Sequence, residues 1–205
     1  LIRGDEVEFA GECFHTGPIA LENRALRPDQ PIFLGVKGDK ALAIAGEIAD
    51  GVLLSVGSPV EYIHHVRERL AVGAEIAGRD PSSIHIAAYL PTCINTDGQK
   101  AVDDMRGQAA RYLALHGASA ITAAAGLPQD FCAQFRDAFL RGEKLDTNIP
   151  DEFVDKLVIA GTPEHCRRRL QEYRDAGVDM PVIYEAAGDQ SPEDSLANIG
   201  RYLIG

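Results

Sequence analysis

Short apolar runs alternate with longer amphipathic segments along most of this chain. The runs are continuous instead of alternating with polar residues, which is typical of strands covered on both faces of a parallel sheet. They lie at about residues 31–35, 52–56, 84–94 and 180–185. The segments between them have helical spacing and end at glycines. Strand and helix in alternation predict an α/β fold with a parallel sheet.

Capping residues mark where several of these helices should begin. Ser58 followed by Glu61 three residues later predicts a capping box after the second strand. Thr162-Pro163 and Ser191-Pro192 predict two later helix starts, since each pairs an N-cap hydroxyl with proline at the first helical position. Four strand–helix units are half of an eight-fold (β/α) barrel. They fit a small open doubly wound sheet equally well.

Two segments depart from the alternation. Residues 1–17 predict a hairpin, in which Val7 and Phe9 alternate with acidic residues. Residues 97–157 predict a helical insertion before the last strand, with helices at Gln99–His116 and Gln129–Leu140.

Composition narrows the possible partners. The 205 residues are 45% hydrophobic, enough for a globular core, and 31 acidic against 20 basic side chains give a formal charge of −11. That charge disfavours nucleic acid and anionic membranes as partners. No apolar stretch approaches the roughly 20 residues of a membrane span, and no signal peptide is evident. We therefore expect a cytoplasmic protein that acts on a small molecule.

The cysteines and histidines give little evidence of a metal or catalytic site. Cys13, Cys93, Cys132 and Cys166 lie far apart without metal-ligand spacing, so reduced thiols are expected and no metal. His64 and His65 are expected on the outer face of a helix. His116, in the last turn of its helix, fits a cation near the helix C-terminus.

The turn after the first strand is the strongest candidate for binding chemistry. Gly35, Val36, Lys37, Gly38 and Asp39 lie between an apolar strand and an alanine-rich helix. A helix N-terminus, glycines without side chains and a lysine together favour an anion, usually a phosphate. Asp39 could compete with that anion, or cap the helix instead. The sequence has neither a Walker pattern nor a complete G-x-G-x-x-G, so the spacing alone also fits an ordinary strand–helix connection.

Four sequence motifs, taken in order, resemble a known family. They are RGDEVEFAGECF, PIFLGVKGDKALAIAGEIADGVLL, AGRDPSSIHIAAYLP and VIAGTPEHCRRRLQEYRDAGVDMPVIYE. The chain resembles the C-terminal part of the luciferase-like flavin and deazaflavin oxidoreductases. Within these it is most similar to the coenzyme F420-dependent branch typified by methylenetetrahydromethanopterin reductase.

The resemblance implies the C-terminal half of a (β/α)₈, or TIM, barrel. The four predicted strands would be the fifth to the eighth, and the first four would lie outside this sequence. A single partial-barrel domain over residues 1–205 is then expected, divided into a hairpin (1–17), a βαβαβ segment (31–96), the helical insertion (97–157) and the last βα unit (158–205).

The resemblance also implies a function. Gly35, Val36, Lys37, Gly38 and Asp39 would hold the phosphate of coenzyme F420, or of FMN as the alternative. The activity would be hydride transfer to or from a small organic substrate, with an FMN-dependent monooxygenase of the same family as a further possibility. No catalytic acid or base is assigned. A non-catalytic half-barrel that dimerises or binds a partner is the alternative from another class, because an unclosed sheet exposes its edges. A homo-oligomer is expected in either case.

Polar residues at the ends of the other predicted strands are further candidates for the pocket. In a barrel, side chains at these positions face the cofactor. They are Ser55, Thr92, Asn95, Tyr184 and Glu185. Glu185 stands out, because a carboxylate that follows an apolar strand is placed to handle a proton. All five also fit ordinary turn or capping roles.

Overall fold

The computed structural model describes residues 1–23, 25–186 and 191–204, which form two compact units. The first unit, Leu1–Ile32, contains an antiparallel hairpin of β1 (Val7–Ala10) and β2 (His15–Ile19). Phe9 pairs with Thr16 in this hairpin, and Ala10 pairs with His15. The second unit, Phe33–Gly205, contains the parallel sheet and the helices that cover it.

The second unit alternates strands and helices in the predicted manner. Its strands are β3 (Phe33–Gly35), β4 (Gly51–Leu54), β5 (His85–Ile94), β6 (Ile159–Gly161) and β7 (Met180–Glu185). Its helices are α1 (Asp39–Ile48), α2 (Val60–Ile76), α3 (Gly98–His116), α4 (Ala120–Ala124), α5 (Gln129–Leu140), α6 (Asp151–Leu157), α7 (Pro163–Asp175) and α8 (Pro192–Ile199). A 3₁₀ turn at Pro81–Ser83 precedes β5, and a π-helical turn at Gly200–Ile204 follows α8.

The long strand β5 organises the sheet. Its first half pairs with β4, where Leu53 is opposite Ala87, and β4 pairs in turn with β3. Its residues 87–92 pair with the whole of β7, with Thr92 opposite Glu185. Its last residues pair with β6. Every strand pair described in this sheet is parallel, which confirms the predicted α/β class.

Two details of the chain differ from the prediction. Strand β6 was not expected, and it gives the described sheet a fifth strand between α6 and α7. The predicted capping box at Ser58 is wrong, because α2 begins at Val60 after Pro59. The Ser58 hydroxyl donates instead to the Ser55 carbonyl, at 2.8 Å. The Thr162 and Ser191 caps are confirmed, since their side chains accept from the His165 and Asp194 amides.

Helices α1 and α2 pack against each other through glycine. A Cβ atom built on Gly73 would overlap the carbonyl oxygen of Ala43, and one on Gly46 would overlap that of Leu70. The two helix backbones therefore approach more closely than side chains at these positions would permit. This packing brings the start of α1 beside the first turns of α2.

Within the described ranges, no helix combines the length and the apolar character needed to cross a membrane.

Candidate functional site

A cleft of about 450 Å³ opens where β3 and β4 end. Ligand sites in parallel α/β proteins lie at the C-terminal ends of strands, so this is the expected edge of the sheet. The cleft is lined by Gly35, Val36, Lys37, Leu53, Leu54, Ser55, Val56 and Tyr89. It therefore contains the first three residues of the predicted anion turn and one of the predicted pocket residues, Ser55.

The space beside the two glycines of the turn is open. Gly38 is the N-cap of α1, with φ −96° and ψ 150°, a conformation that any residue adopts. Cβ atoms built on Gly35 and Gly38 would meet no described atom within 4 Å. Since the backbone conformation at Gly38 does not require glycine, a tight turn does not explain the residue there. The open space leaves room for a ligand against the backbone.

The start of α1 is suited to an anion. Gly38 offers no side-chain cap, so the first amide groups of α1 receive no hydrogen bond acceptor from it. The helix dipole adds partial positive charge at this end, and the exposed Lys37 adds a full charge. These features can bind a phosphate group by the same physics that operates in other α/β proteins.

Two residues of α2 hold the turn. The hydroxyl of the buried Tyr62 donates to the Lys37 carbonyl at 2.5 Å. Burial, with a contribution from the negative charge of Asp39, raises the pKa of Tyr62 to about 12, so the donor proton stays in place. His65 stacks on Tyr62, with ring centroids 5.7 Å apart, and its Nε2 lies 2.8 Å from Asp39 Oδ1.

Asp39 is therefore not a helix cap. It is the first residue of α1 and its carboxylate interacts with α2, while Gly38 occupies the capping position. His64 is exposed, as expected for the outer face of α2, whereas His65 is half-buried and meets Asp39 on the neighbouring helix.

His116 supports the neighbouring strand end. It is 8% exposed, and its Nε2 lies 2.8 Å from the carbonyl oxygen of Val56, so Nε2 carries the proton and donates. Burial lowers the pKa of His116, the bond to Val56 opposes that shift, and the charge of Lys37 adds to it. His116 is neutral at pH 7, so its predicted role as a cation at the end of α3 is wrong.

The other candidates at strand ends occupy separate environments. Thr92 is fully buried and its hydroxyl donates to the Leu90 carbonyl at 3.0 Å. Glu185 is opposite Thr92 on β7, and its Oε2 is buried without a hydrogen bond partner among the described residues. Asn95 accepts from the Asp97 amide at 3.0 Å, which is a turn role. Neither Thr92 nor Glu185 is among the residues that line the cleft.

Three tyrosines connect β5, β7 and α3 near this edge. The Tyr112 and Tyr184 hydroxyls lie 2.6 Å apart, and Tyr89 contacts the Tyr184 ring edge-on at 6.3 Å. Burial and the bond to Tyr184 raise the pKa of Tyr112, so it stays protonated. Tyr89 and Tyr112 were not among the sequence candidates. Tyr89 could have been recognised from the sequence, because it places a polar hydroxyl within an apolar strand. Tyr112 lies on a helix whose sequence gives no such indication.

A second cleft, of about 340 Å³, lies between α3, α6, β6 and α7. His165 Nε2 is 2.6 Å from Asp155 Oδ1 here. The adjacent Cys166 is buried, and burial raises its pKa to about 12, so it is no thiolate nucleophile. No group of metal-ligating side chains occurs in the part of the chain that the structure describes.

Comparison with known proteins connects the chain and its fold to one family. The chain is 29% identical to the 5,10-methylenetetrahydromethanopterin reductase of Methanolobus tindarius, over all of the chain and 62% of that protein. It is 25% identical to the F420-dependent glucose-6-phosphate dehydrogenase of Nakamurella multipartita, over all of the chain and 56% of that enzyme. The structure of the coenzyme F420-dependent tetrahydromethanopterin reductase from Methanopyrus kandleri superposes with a TM-score of 0.81 and 25% identity, over 99% of this chain and 58% of that one.

The chain thus spans about three fifths of the length of these relatives. The predicted resemblance is confirmed, both to the luciferase-like family and to its F420-dependent reductases. The family model of the luciferase-like monooxygenases matches residues 1–180. The chain belongs to the luciferase-like monooxygenase family.

Proposed function

We propose that this chain forms the cofactor-anchoring part of an oxidoreductase that transfers a hydride between coenzyme F420 and a small organic substrate. The observation that carries the proposal is the open turn at residues 35–39, which lies beside a cleft at the C-terminal ends of β3 and β4. The similarity to F420-dependent relatives favours F420 over FMN. FMN, with a monooxygenase activity, is the alternative within the same family.

The residues present fit a phosphate-bearing cofactor. Gly35 and Gly38 leave space against the backbone, the start of α1 supplies amide groups, and Lys37 supplies positive charge at the cleft. Val36 lines the same wall, and Asp39 completes the turn. The cofactor supplies the redox chemistry when bound, and this chain binds and orients it.

The half-barrel organisation is part of the proposal. We assign β3, β4, β5 and β7 as the fifth to eighth strands of a (β/α)₈ barrel in one partial-barrel domain, with α3–α6 as the helical insertion. Parallel pairing in this order supports the assignment, as does superposition on just over half of a longer reductase. The remaining walls of the cleft would then come from strands outside this sequence.

We assign substrate binding to the strand ends, of which Thr92 and Glu185 lie outside the lining of the cleft. Ser55 lines the cleft directly. Glu185 has a buried oxygen without a partner among the described residues, so a substrate group or water that donates a hydrogen bond would satisfy it. Thr92, already bonded to Leu90, supports the Glu185 position from β5.

A homo-oligomer also belongs to this proposal. Apolar side chains on α1 and α2 are exposed, with Ile48 at 70% and Ile76 at 69%. Exposed apolar residues that lie on neighbouring helices favour burial at an interface between copies. Light scattering on the purified protein would give the oligomeric state, and a monomer at micromolar concentration would contradict it.

Calorimetric titration with F420 and, separately, with FMN tests the function. We expect F420 to bind, and Lys37→Glu to weaken that binding at least about tenfold, because the change reverses a charge at the anion site. Lys144→Glu, the same charge change on the exposed loop after α5, should leave the affinity unchanged. FMN binding in place of F420 would transfer the proposal to the alternative. Binding that does not respond to Lys37→Glu would place the cofactor elsewhere.

A further inference from the structure

The anion turn contains a carboxylate at the position where it should interfere most. Asp39 is the first residue of α1, so its side chain is beside the amide groups that would bind a phosphate. Negative charge is favourable at a helix N-terminus, which makes Asp39 a competitor for the same partial charge. It would also repel a phosphate held there. A turn that binds phosphate therefore needs this carboxylate to be engaged elsewhere.

His65 supplies that engagement from α2. Its Nε2 lies 2.8 Å from Asp39 Oδ1, across 26 positions of sequence. The ring is held in place by stacking on Tyr62, which also donates to the Lys37 carbonyl. Lys37 lines the cleft, whereas Asp39 and His65 do not. One face of α2 thus fixes the backbone of the turn and draws its only carboxylate toward α2.

We propose that His65 is a positioning residue for anion binding, which holds the Asp39 carboxylate toward α2 so that the turn can accept a phosphate group. This inference rests on the proposed function only through the phosphate, the group that F420 and FMN have in common. His65 touches no ligand in this scheme. It acts through Asp39 alone.

A role in stability would leave a different signature from a positioning role. The Asp39 side chain is 55% exposed and that of His65 30%, so as an ion pair the interaction contributes little to folding. Loss of His65 as a positioning residue should matter for phosphate only while Asp39 carries its charge. A structural role for the imidazole would persist after that charge is removed.

The test is a double-mutant cycle with inorganic phosphate as the ligand. Phosphate binding is measured from the NMR chemical shifts of the Gly38 and Asp39 backbone amides. We expect His65→Ala to weaken phosphate binding about two- to fivefold. Asp39→Asn should bind phosphate at least as well as the parent, and adding His65→Ala to Asp39→Asn should change nothing further. His65→Gln, which keeps an N–H donor, should retain most of the affinity. His64→Ala, at the exposed neighbouring position, is the matched control.

Three results would overturn the inference. One is a His65→Ala protein with parental affinity, and another is a loss that persists in the Asp39→Asn background. The third is a parent protein whose turn amides do not respond to phosphate at all. Titration of the same proteins with F420 separates the two proposals. A phosphate cycle that behaves as expected without F420 binding would reject the cofactor and retain the role of His65.

Discussion

Gly73 on α2 packs so closely against Ala43 on α1 that a Cβ atom on the glycine would overlap the Ala43 carbonyl oxygen. Backbone atoms cannot yield as a flexible side chain can, so an added methyl group must separate the helices. We expect Gly73→Ala to lower the free energy of unfolding by about 3 kcal/mol, the upper end for overpacking. Urea denaturation measures this change.

Gly107→Ala on α3 is the control for that measurement. A Cβ atom there would meet nothing within 4 Å, and alanine favours a helix over glycine by about 0.5–1 kcal/mol. The control should therefore be as stable as the parent or slightly more so. Equal midpoints for the two variants would show that the helix contact tolerates a side chain.

Gly38→Ala should separate ligand binding from folding. The backbone conformation at Gly38 suits alanine, and the space beside it is open. We expect the free energy of unfolding to fall by no more than about 1 kcal/mol, since alanine is less favourable than glycine at an N-cap. Affinity for F420 should fall about tenfold or more, because the methyl group would occupy space proposed for the phosphate. Calorimetry and urea denaturation on one protein sample provide both values, and unchanged affinity would exclude a ligand against this face of the turn.

His116 should make the protein less stable in mild acid. Its pKa is lowered in the folded state by burial, so below about pH 6.5 the unfolded chain takes up the proton first. The free energy of unfolding should therefore decrease as the pH falls through this window, by at most about 1.4 kcal/mol per unit from this residue. Above pH 6.5 the effect is absent.

His116→Gln keeps a donor for the Val56 carbonyl and removes the titration. Its stability should depend less on pH between 7 and 5 than that of the parent, by urea denaturation at each pH. Identical slopes for parent and variant between pH 7 and 5 would contradict the role of His116.

Glu61 responds to pH in a lower range than His116. Burial raises the pKa of Glu61, but the bond to Lys156 and nearby positive charges outweigh burial and leave that pKa lowered. The stabilisation that Glu61 contributes is therefore lost only below about pH 4.5.

The four cysteines should differ sharply in reactivity. Cys13 is exposed, whereas Cys93, Cys132 and Cys166 are buried, and burial raises the pKa of both Cys132 and Cys166. Iodoacetamide at pH 8 should modify one thiol per native chain and four after denaturation, as read by intact mass. Cys13→Ser should abolish the native reaction. A second native adduct would mean that the core opens on the labelling timescale.

Much of the fold was predictable because its signals are local. The apolar runs of β4, β5 and β7 and the long helices α2, α3 and α5 each carry enough residues to show a period. Strand β6 escaped prediction because it has three residues, Ile159–Gly161, and forms only through pairing with the end of β5. The Ser58 cap failed because the Ser58 hydroxyl donates to the Ser55 carbonyl, and α2 begins one residue later than predicted, at Val60.

The candidate site was also predictable only where its sequence signals are local. The turn is contiguous in sequence, so glycine, lysine and the helix start could be recognised together. The contacts that support it cross long separations, with His65 26 positions from Asp39 and His116 60 positions from Val56. Nothing in the local pattern of α2 or α3 indicates which histidine meets a partner distant in sequence. Only the packing of the helices against the sheet shows it.

The turn and the two α2 residues described as holding it, Tyr62 and His65, all belong to residues 33–76, a single β-α-β-α segment. The tyrosines around the rest of that edge come from β5, α3 and β7. An evolving or redesigned enzyme could therefore change β5, β7 and the helices around them while it keeps the cofactor-binding segment intact. Transplanting residues 33–76 between relatives should then transfer cofactor binding together with Ser55, and leave the substrate contact proposed for Glu185 with the recipient.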